Sequence, residues 1–210
     1  KIKVDATRTY GGKVSLVDGN LLDITLKMQV ERELTFIHPF DDPLVIAGSG
    51  TIGLEILRDV PDVDVVVVGI GGGGLASGIG VAIKSKRPKV RIIGVEPEGA
   101  PGMYKSLAMG KPIHLDGVNT VADGLAAPFV GEHTLRHVQE YVDEVVLVSD
   151  EEIIEALALI VERCKVVPEP AAAATLAAVL FHKFNVVRHS TVVCILSGGN
   201  ISRPTLKMIL

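Results

Sequence analysis

The residues best suited to hold a ligand are the glycines of the segment Gly69-Ile70-Gly71-Gly72-Gly73-Gly74. Without side chains in the way, successive backbone N–H groups of such a turn can point at one anion. A predicted helix begins at its end, and the positive end of the helix dipole favours a phosphate there. A tight turn without a ligand is the simpler alternative, but four adjacent glycines cost much conformational entropy for that purpose alone. We therefore predict a phosphate-binding turn.

The glycines do not by themselves decide which phosphate is bound. Gly69, Gly71 and Gly74 fit the G-x-G-x-x-G pattern of dinucleotide-binding folds. Glu96 ends the next predicted strand, where such folds place the acid that binds the ribose. However, that pattern normally opens its domain, and here a long α/β stretch comes first. An NAD-linked oxidoreductase therefore remains an alternative.

Composition argues against several classes of function. The net charge of −4 and the aromatic content of 4% disfavour a nucleic-acid-binding surface. The apolar runs are short and the first residues lack the apolar core of a signal peptide, so we expect a cytoplasmic protein without a membrane span. We expect Cys164 and Cys194 to be reduced, buried thiols. His133 and His137 have the spacing of a zinc pair, but no third ligand is evident.

Apolar β-rich runs alternate with helical patterns, which predicts a mainly parallel sheet with helices on its faces. The run Val63–Val68 is nearly all valine and indicates a strand covered on both faces. Helices are predicted to start at Asp42-Pro43, at a capping box in Ser149–Glu152, and at Pro170. The other predicted strands are Lys13–Val17, Leu34–Ile37, Arg91–Val95, Glu144–Val148 and Thr191–Leu196.

Several short motifs, in their order along the chain, resemble the threonine deaminase and serine racemase group of pyridoxal-phosphate enzymes of fold type II. The matching stretches are Ala6–Gly11, Phe36–Gly48, Gly71–Leu75, Gly94–Pro97, Ala122–Gly124, Pro168–Pro170 and Ser197–Asn200. The resemblance implies the tryptophan-synthase β-subunit-like fold, a three-layer α/β sandwich that is incomplete here. It further implies that residues 1–42 are a remnant of a small mobile domain and residues 43–210 the main part of the large cofactor domain.

The same resemblance implies which residues bind pyridoxal 5′-phosphate. They are Gly71, Gly72, Gly73, Gly74, Leu75, Gly124, Glu169 and Ser197. The glycine turn would hold the phosphate, Gly124 and Glu169 would lie near the ring, and the Ser197 hydroxyl would face the pyridine nitrogen. A neutral hydroxyl leaves that nitrogen largely unprotonated, which favours β-elimination over transamination. From the residues alone, Ser197 also suits a polar turn, and Glu169 also suits the N-terminus of a helix.

A cation site is also implied by the resemblance to the racemases. It would use the carboxylate of Glu96, the backbone carbonyl of Ala100, and an acid two residues further on. Gly102 stands at that last position, so one oxygen ligand of a divalent cation is lost. A monovalent cation, or water, is an alternative occupant.

The chain does not contain the part of the family pattern that holds the Schiff-base lysine and the Ser/Asn loop for the substrate carboxylate. We therefore name no catalytic residue and expect an N-terminally truncated member of the family. The implied parent activity is deamination of L-threonine or L-serine to a 2-oxo acid and ammonia by a homo-oligomer, a dimer or a tetramer. Phe40 favours a deaminase. A serine racemase-like enzyme and a catalytically inactive subunit are the alternatives.

Overall fold

The computed structural model describes residues 2–19, 21–207 and 209, and the chain forms two compact units, Lys1–His38 and Pro39–Leu210. The first unit contains helix α1, Ile2–Thr9, and helix α2, Leu21–Glu31. The second unit contains the sheet and the other helices. The assignment of residues 1–42 and 43–210 to a small and a large domain stays a prediction.

Two segments of the first unit that were predicted as strands, Lys13–Val17 and Leu34–Ile37, are irregular in the structure, so both predictions were wrong. A segment becomes a strand only when its backbone forms hydrogen bonds with a neighbouring strand. Within the described residues of this unit, neither segment has such a neighbour. Helix α2, which lies between them in sequence, likewise contains no described residue that is buried.

Four strands of the second unit form a parallel sheet in the order β3-β2-β1-β4. They are β1 Val65–Gly69, β2 Arg91–Pro97, β3 Glu144–Val148 and β4 Val192–Cys194. The four corresponding predictions are confirmed, although β4 is shorter than predicted. The register pairs Gly69 with Val95 and Val67 with Cys194, so the carboxyl ends of β1, β2 and β4 share one edge of the sheet.

The described part of the second unit contains seven α-helices. They are α3 Pro43–Asp59, α4 Gly74–Lys84, α5 Gly102–Met109, α6 Glu132–Tyr141, α7 Asp150–Leu159, α8 Pro170–Leu180 and α9 Arg203–Lys207. All three predicted helix starts are confirmed, because Asp42 caps α3, Ser149 and Glu152 form the capping box of α7, and Pro170 begins α8. None of the described helices is long and apolar enough to span a membrane.

The sheet separates two apolar layers, which confirms the three-layer sandwich. Val65 and Val67 of β1 pack with residues of α7 and α8, whereas Val66 and Val68 pack with residues of α3, α4 and α6. Neighbouring side chains of a strand point to opposite faces, so both layers contact the same strand. All four valines are at most 3% exposed, as expected for a strand covered on both faces.

Small residues let α3 and α4 cross closely. A Cβ atom added at Gly78 of α4 would overlap the carbonyl oxygen of Ile46 and lie 2.6 Å from the nitrogen of Gly50. At Gly53 of α3, an added Cβ would lie 2.9 Å from the Cβ of Ala82. This crossing holds the middle of α4 against α3, and the glycine-rich turn precedes the contact along the chain.

Glu96, in the carboxyl-terminal part of β2, caps helix α5. Its side chain is buried, its Oε1 accepts a hydrogen bond from Met103 N at 2.8 Å, and its Oε2 accepts one from Tyr104 N at 2.7 Å. Burial raises the pKa of Glu96 to about 7, although both amide hydrogen bonds act in the opposite direction. The N-cap residue of α5, Pro101, makes no side-chain cap, so Glu96 supplies the missing acceptors.

The two cysteines differ in their surroundings. Cys194 is half-buried on β4, and burial raises the pKa of its thiol to about 11, so it stays protonated at neutral pH. Cys164 is exposed in the π-helical turn Ile160–Cys164, so the prediction that it is buried was wrong. The wider π turn departs from the 3.6-residue period of α7, so Cys164 does not continue the buried face of that helix.

The close crossing of α3 and α4 predicts that Gly78→Ala lowers the free energy of unfolding by about 1–3 kcal/mol, because the backbone of α3 must move away. The matched control is Gly48→Ala on α3, where an added Cβ would meet nothing within 4 Å. This control should raise the free energy of unfolding by up to about 1 kcal/mol. Urea denaturation measures both, and equal effects of the two variants would contradict the close crossing.

The buried carboxyl of Glu96 predicts a pH-dependent stability. Its pKa in the folded state, about 7, lies above the ordinary value of 4.5, so the folded protein binds this proton more tightly. The free energy of unfolding should therefore fall as the pH rises from about 4.5 to 7, by up to about 3 kcal/mol from this residue. In Glu96→Gln this contribution should disappear, whereas the exposed Glu98→Gln should keep it. Urea denaturation at pH 5 and pH 7.5 compares the three proteins, and an unchanged slope in Glu96→Gln would contradict the assignment.

Candidate functional site

A cavity of about 380 Å³ opens at the carboxyl edge of the sheet, next to the ends of β1 and β4. It brings together seven of the predicted site residues, which are Gly71, Gly72, Gly73, Gly74, Leu75, Gly124 and Ser197. The cavity is also lined by Pro39, Phe40, Gly69 and the segment 123–127. Open parallel sheets bind their ligands at this edge, so the place agrees with a binding site.

The glycine turn presents backbone N–H groups that the protein itself does not use. Among the described residues, none accepts a hydrogen bond from the amides of Gly71 to Leu75. Gly73 is the N-cap of α4, has a φ of 94° that favours glycine, and offers no side chain as a cap. Together with the helix dipole, these amides fit an anion such as a phosphate. Within the described ranges no Lys or Arg lines the cavity, so the amides would hold the anion.

Two walls enclose the glycine turn. On one side, a Cβ added at Gly72 would overlap the ring of Phe40, and one at Gly74 would lie 3.1 Å from the Cβ of Phe40. On the other side, a Cβ at Gly73 would lie 3.0 Å from the Cβ of Thr134. Neither wall residue was predicted to be part of the site. For Phe40 the available signal was its place in Phe36–Gly48, one of the stretches that carry the family resemblance.

Glu169 lies behind the cavity rather than in its lining. A Cβ added at Gly124 would lie 2.6 Å from Glu169 Oε1, and one at Gly198 would lie 2.5 Å from the same atom. Glu169 Oε2 accepts a hydrogen bond from Asn200 N at 3.2 Å, and Glu169 N donates to Gly198 O at 2.9 Å. This acid therefore fixes the loop of Ser197 and the 3-10 turn of Gly124 to the start of α8. Its contact with the cofactor ring stays a prediction.

Ser197 follows β4 and reaches the same edge of the sheet as the glycine turn. Strand β4 pairs directly with β1, so the two strand ends are neighbours. Ser197 is exposed, lines the cavity, and makes no hydrogen bond with the described residues. Its hydroxyl is therefore available to a ligand, although its contact with a pyridine nitrogen stays a prediction.

The other candidate residues lie outside the cavity lining. Glu96 caps α5 through both carboxylate oxygens, and this use gives no support to a ribose-binding role. The cation site of Glu96 and Ala100 stays a prediction. His137 Nδ1 is 2.7 Å from the carbonyl oxygen of His133. Across ranges 2–19, 21–207 and 209, no three His, Cys, Asp or Glu side chains are grouped as a metal site would require.

Known proteins resemble this chain along nearly its whole length. The family described as pyridoxal-phosphate dependent enzyme matches residues 1–198. The L-threonine ammonia-lyase of Thermotoga maritima is 47% identical over 203 residues, which cover 95% of this chain and 50% of that protein. The processed form of threonine deaminase isoform 2 from Solanum lycopersicum superposes with a TM-score of 0.91 at 37% identity, over 99% of this chain and 58% of that one.

A racemase is equally close in structure. Maize serine racemase superposes with a TM-score of 0.91 at 38% identity, over 99% of this chain and 65% of that one. The chain spans about half the length of the curated relatives it matches, with 50% and 52% of the first two covered. The unused amides of the glycine turn fit the phosphate of the cofactor that defines this family. The chain therefore belongs to the pyridoxal-phosphate-dependent enzymes, within the fold type II group that includes threonine deaminase and serine racemase.

Proposed function

We propose that this chain is the main cofactor-binding part of an enzyme that deaminates L-threonine, and also L-serine, to a 2-oxo acid and ammonia. The observation that carries the proposal is one cavity lined by both the unused amides of the glycine turn and the hydroxyl of Ser197. The names of the relatives support threonine as the substrate, since the first two are L-threonine ammonia-lyases at 47% and 46% identity.

Different residues of the chain would contact different parts of the cofactor. The amides of Gly71 to Leu75 would bind the phosphate, helped by the positive end of the α4 dipole. Phe40 and Leu125 would form apolar walls that keep water from the site. When bound, pyridoxal 5′-phosphate withdraws electrons from Cα of the amino acid, which eases loss of the Cα proton and then of the β-hydroxyl.

Ser197 would set how strongly electrons are withdrawn. A serine hydroxyl donates a hydrogen bond to a ring nitrogen without transferring its proton at neutral pH, because its acidity is far too low. The nitrogen therefore stays largely unprotonated, which favours expulsion of a β-leaving group. Glu169 supports this role by holding the Ser197 loop through Gly198 and Asn200.

The lysine that carries the cofactor and moves the Cα proton would come from a segment outside this chain. A lysine with this task needs a desolvated position that faces the cofactor. Within the described residues, no lysine lines the cavity. We therefore assign binding and orientation to this chain and leave proton transfer to that segment.

A serine racemase is the second candidate, favoured by the similarity in structure to the maize enzyme. Phe40 and the names of the first relatives favour the deaminase. The two functions differ in their products, since a racemase converts L-serine into D-serine whereas a deaminase releases pyruvate.

We further propose that the enzyme is a cytoplasmic homo-oligomer, either a dimer or a tetramer. Apolar side chains of α3 support this proposal, since Leu44 is 84% exposed and Leu54 is 46% exposed. Large exposed apolar side chains are commonly covered by another subunit. Light scattering coupled to gel filtration measures the mass of the protein in solution, and the mass of a monomer would contradict the proposal.

The first test is whether the chain recognises the phosphate. Calorimetric titration should show tighter binding of pyridoxal 5′-phosphate than of pyridoxal, by about tenfold or more, because only the former reaches the amides of the turn. In Gly72→Ala, whose added Cβ overlaps the Phe40 ring, this preference should be lost. Gly48→Ala is the matched control and should keep it. Equal affinities of the unchanged chain for both compounds would contradict the phosphate site.

The second test is the reaction. The chain by itself should release no 2-oxobutanoate from L-threonine, whereas the chain supplemented with the N-terminal segment of the Thermotoga maritima relative should release it. In the supplemented enzyme, Ser197→Ala should lower the rate of 2-oxobutanoate release by roughly tenfold or more, because the hydrogen bond proposed between the Ser197 hydroxyl and the ring nitrogen is lost. Ser85→Ala, an exposed serine at the end of α4, is the control. Formation of D-serine from L-serine without pyruvate would favour the racemase instead.

A further inference from the structure

We propose that Asp41 is a positioning residue that keeps the glycine turn in its phosphate-binding shape. The inference rests on the proposed function for the identity of the anion, but its structural basis is independent of it. Asp41 connects the two walls between which the turn lies. We call this connection the Asp41 clip, and it consists of Phe40, Asp41 and Thr134.

One arm of the clip is Phe40, the residue before Asp41. The Phe40 ring occupies the space that a side chain at Gly72 would need, and the carbonyl oxygen of Phe40 lies 2.8 Å from the position of a Cβ at Gly74. Phe40 also packs against Phe129, with ring centroids 5.1 Å apart. The backbone at Phe40 therefore cannot move away from the turn without losing these contacts.

The other arm is the N-terminus of α6. Asp41 Oδ1 accepts a hydrogen bond from Thr134 N at 2.9 Å, across 93 positions of sequence. The N-cap residue of α6 is Gly131, which has no capping side chain, and a Cβ added there would overlap the Asp41 carboxylate. Asp41 thus replaces the missing cap of α6, and Gly131 leaves room for it.

Thr134 carries the connection to the far side of the turn. Its side chain is buried, and its Cβ lies 3.0 Å from the position of a Cβ at Gly73. Its hydroxyl donates to Gly131 O at 3.2 Å, and its carbonyl oxygen accepts from the Ser77 hydroxyl of α4 at 3.4 Å. The hydrogen bond between Asp41 and Thr134 therefore closes the clip around Gly72 to Gly74.

A clip of this kind is needed because the turn has little to hold it. Four adjacent glycines have more conformational freedom than any other tetrapeptide, and their unused N–H dipoles repel one another when they converge. Restraining both walls lowers the entropy that ligand binding must remove. Asp41 would therefore raise affinity for the phosphate without touching it.

Asp42 provides a matched control beside Asp41. Its Oδ1 accepts hydrogen bonds from Leu44 N at 2.7 Å and Val45 N at 3.2 Å, so it also caps a helix. However, that helix is α3, and both bonds lie within the same short segment. Loss of either cap should cost comparable global stability, but only loss of Asp41 opens the clip.

The first readout is hydrogen exchange of the full chain without cofactor, under conditions in which every variant is folded. Asp41→Ala should speed exchange of the hydrogen-bonded amides of Ile70 and Ser77, in peptides that cover residues 69–77, and of amides in residues 131–138, by about fivefold or more. Asp41→Asn, which keeps an oxygen acceptor, should restore most of the protection. Asp42→Ala should speed exchange only near residues 43–47. Unchanged exchange at residues 69–77 in Asp41→Ala would overturn the inference.

The second readout is affinity, measured with pyridoxal 5′-phosphate and with pyridoxal. Asp41→Ala should weaken the affinity for pyridoxal 5′-phosphate by about fivefold and leave the affinity for pyridoxal unchanged. Asp42→Ala should leave both affinities unchanged. Equal weakening by Asp41→Ala and Asp42→Ala would show a merely structural role and overturn the inference. If the unchanged chain binds neither compound, the proposed function fails, while the exchange experiment still decides the clip.

Discussion

The structure depends on one unusual arrangement, a helix N-terminus whose backbone amides find no acceptor in the described protein. Helix α4 begins at a glycine N-cap, and the amides of Gly71 to Leu75 face a cavity at the carboxyl edge of the sheet. Leaving such groups unpaired is costly unless a ligand or solvent satisfies them. An anion that accepts several N–H groups at once removes this cost and supplies its own binding energy in the same step.

The N-termini of three other helices, unlike that of α4, are capped by carboxylates. Asp42 caps α3, Glu96 caps α5, and Asp41 caps α6, each through a carboxylate that accepts backbone amides. Of these caps, the sequence patterns predicted only Asp42. Asp41 lies 93 residues from Thr134, and Glu96 belongs to the strand that precedes α5. These carboxylates hold the protein's own elements, whereas the first amides of α4 have no acceptor among the described residues. Glu169 follows the same rule, since it holds the Ser197 loop rather than lining the cavity.

The two units of the chain differ in how well their residues are buried and hydrogen-bonded. In the second unit, β1 is covered on both faces and its valines are buried. In the first unit, α2 buries none of its described residues, and two strand-like segments stay irregular. Since a strand needs a hydrogen-bonded neighbour, strand propensity alone could not form one there. The chain covers about half the length of its first curated relatives, and the fold type II architecture is recognisable in this span.

Features that depend on near neighbours in the chain can be predicted from the amino-acid sequence alone. These include the glycine turn before α4, the buried valine strand, the caps at Asp42 and Ser149, and the family, because each is encoded in short runs of residue types. Tertiary structure decided the rest. It joined Asp41 to Thr134, turned Glu96 toward α5, exposed Cys164, and left Lys13–Val17 without a strand partner. The Asp41 bond joins groups 93 residues apart, and the missing strand reflects the absence of a hydrogen-bonded neighbour. The position of Glu96 depends on how β2 lies beside α5, and the exposure of Cys164 depends on the π turn. The residue patterns used for prediction record none of these.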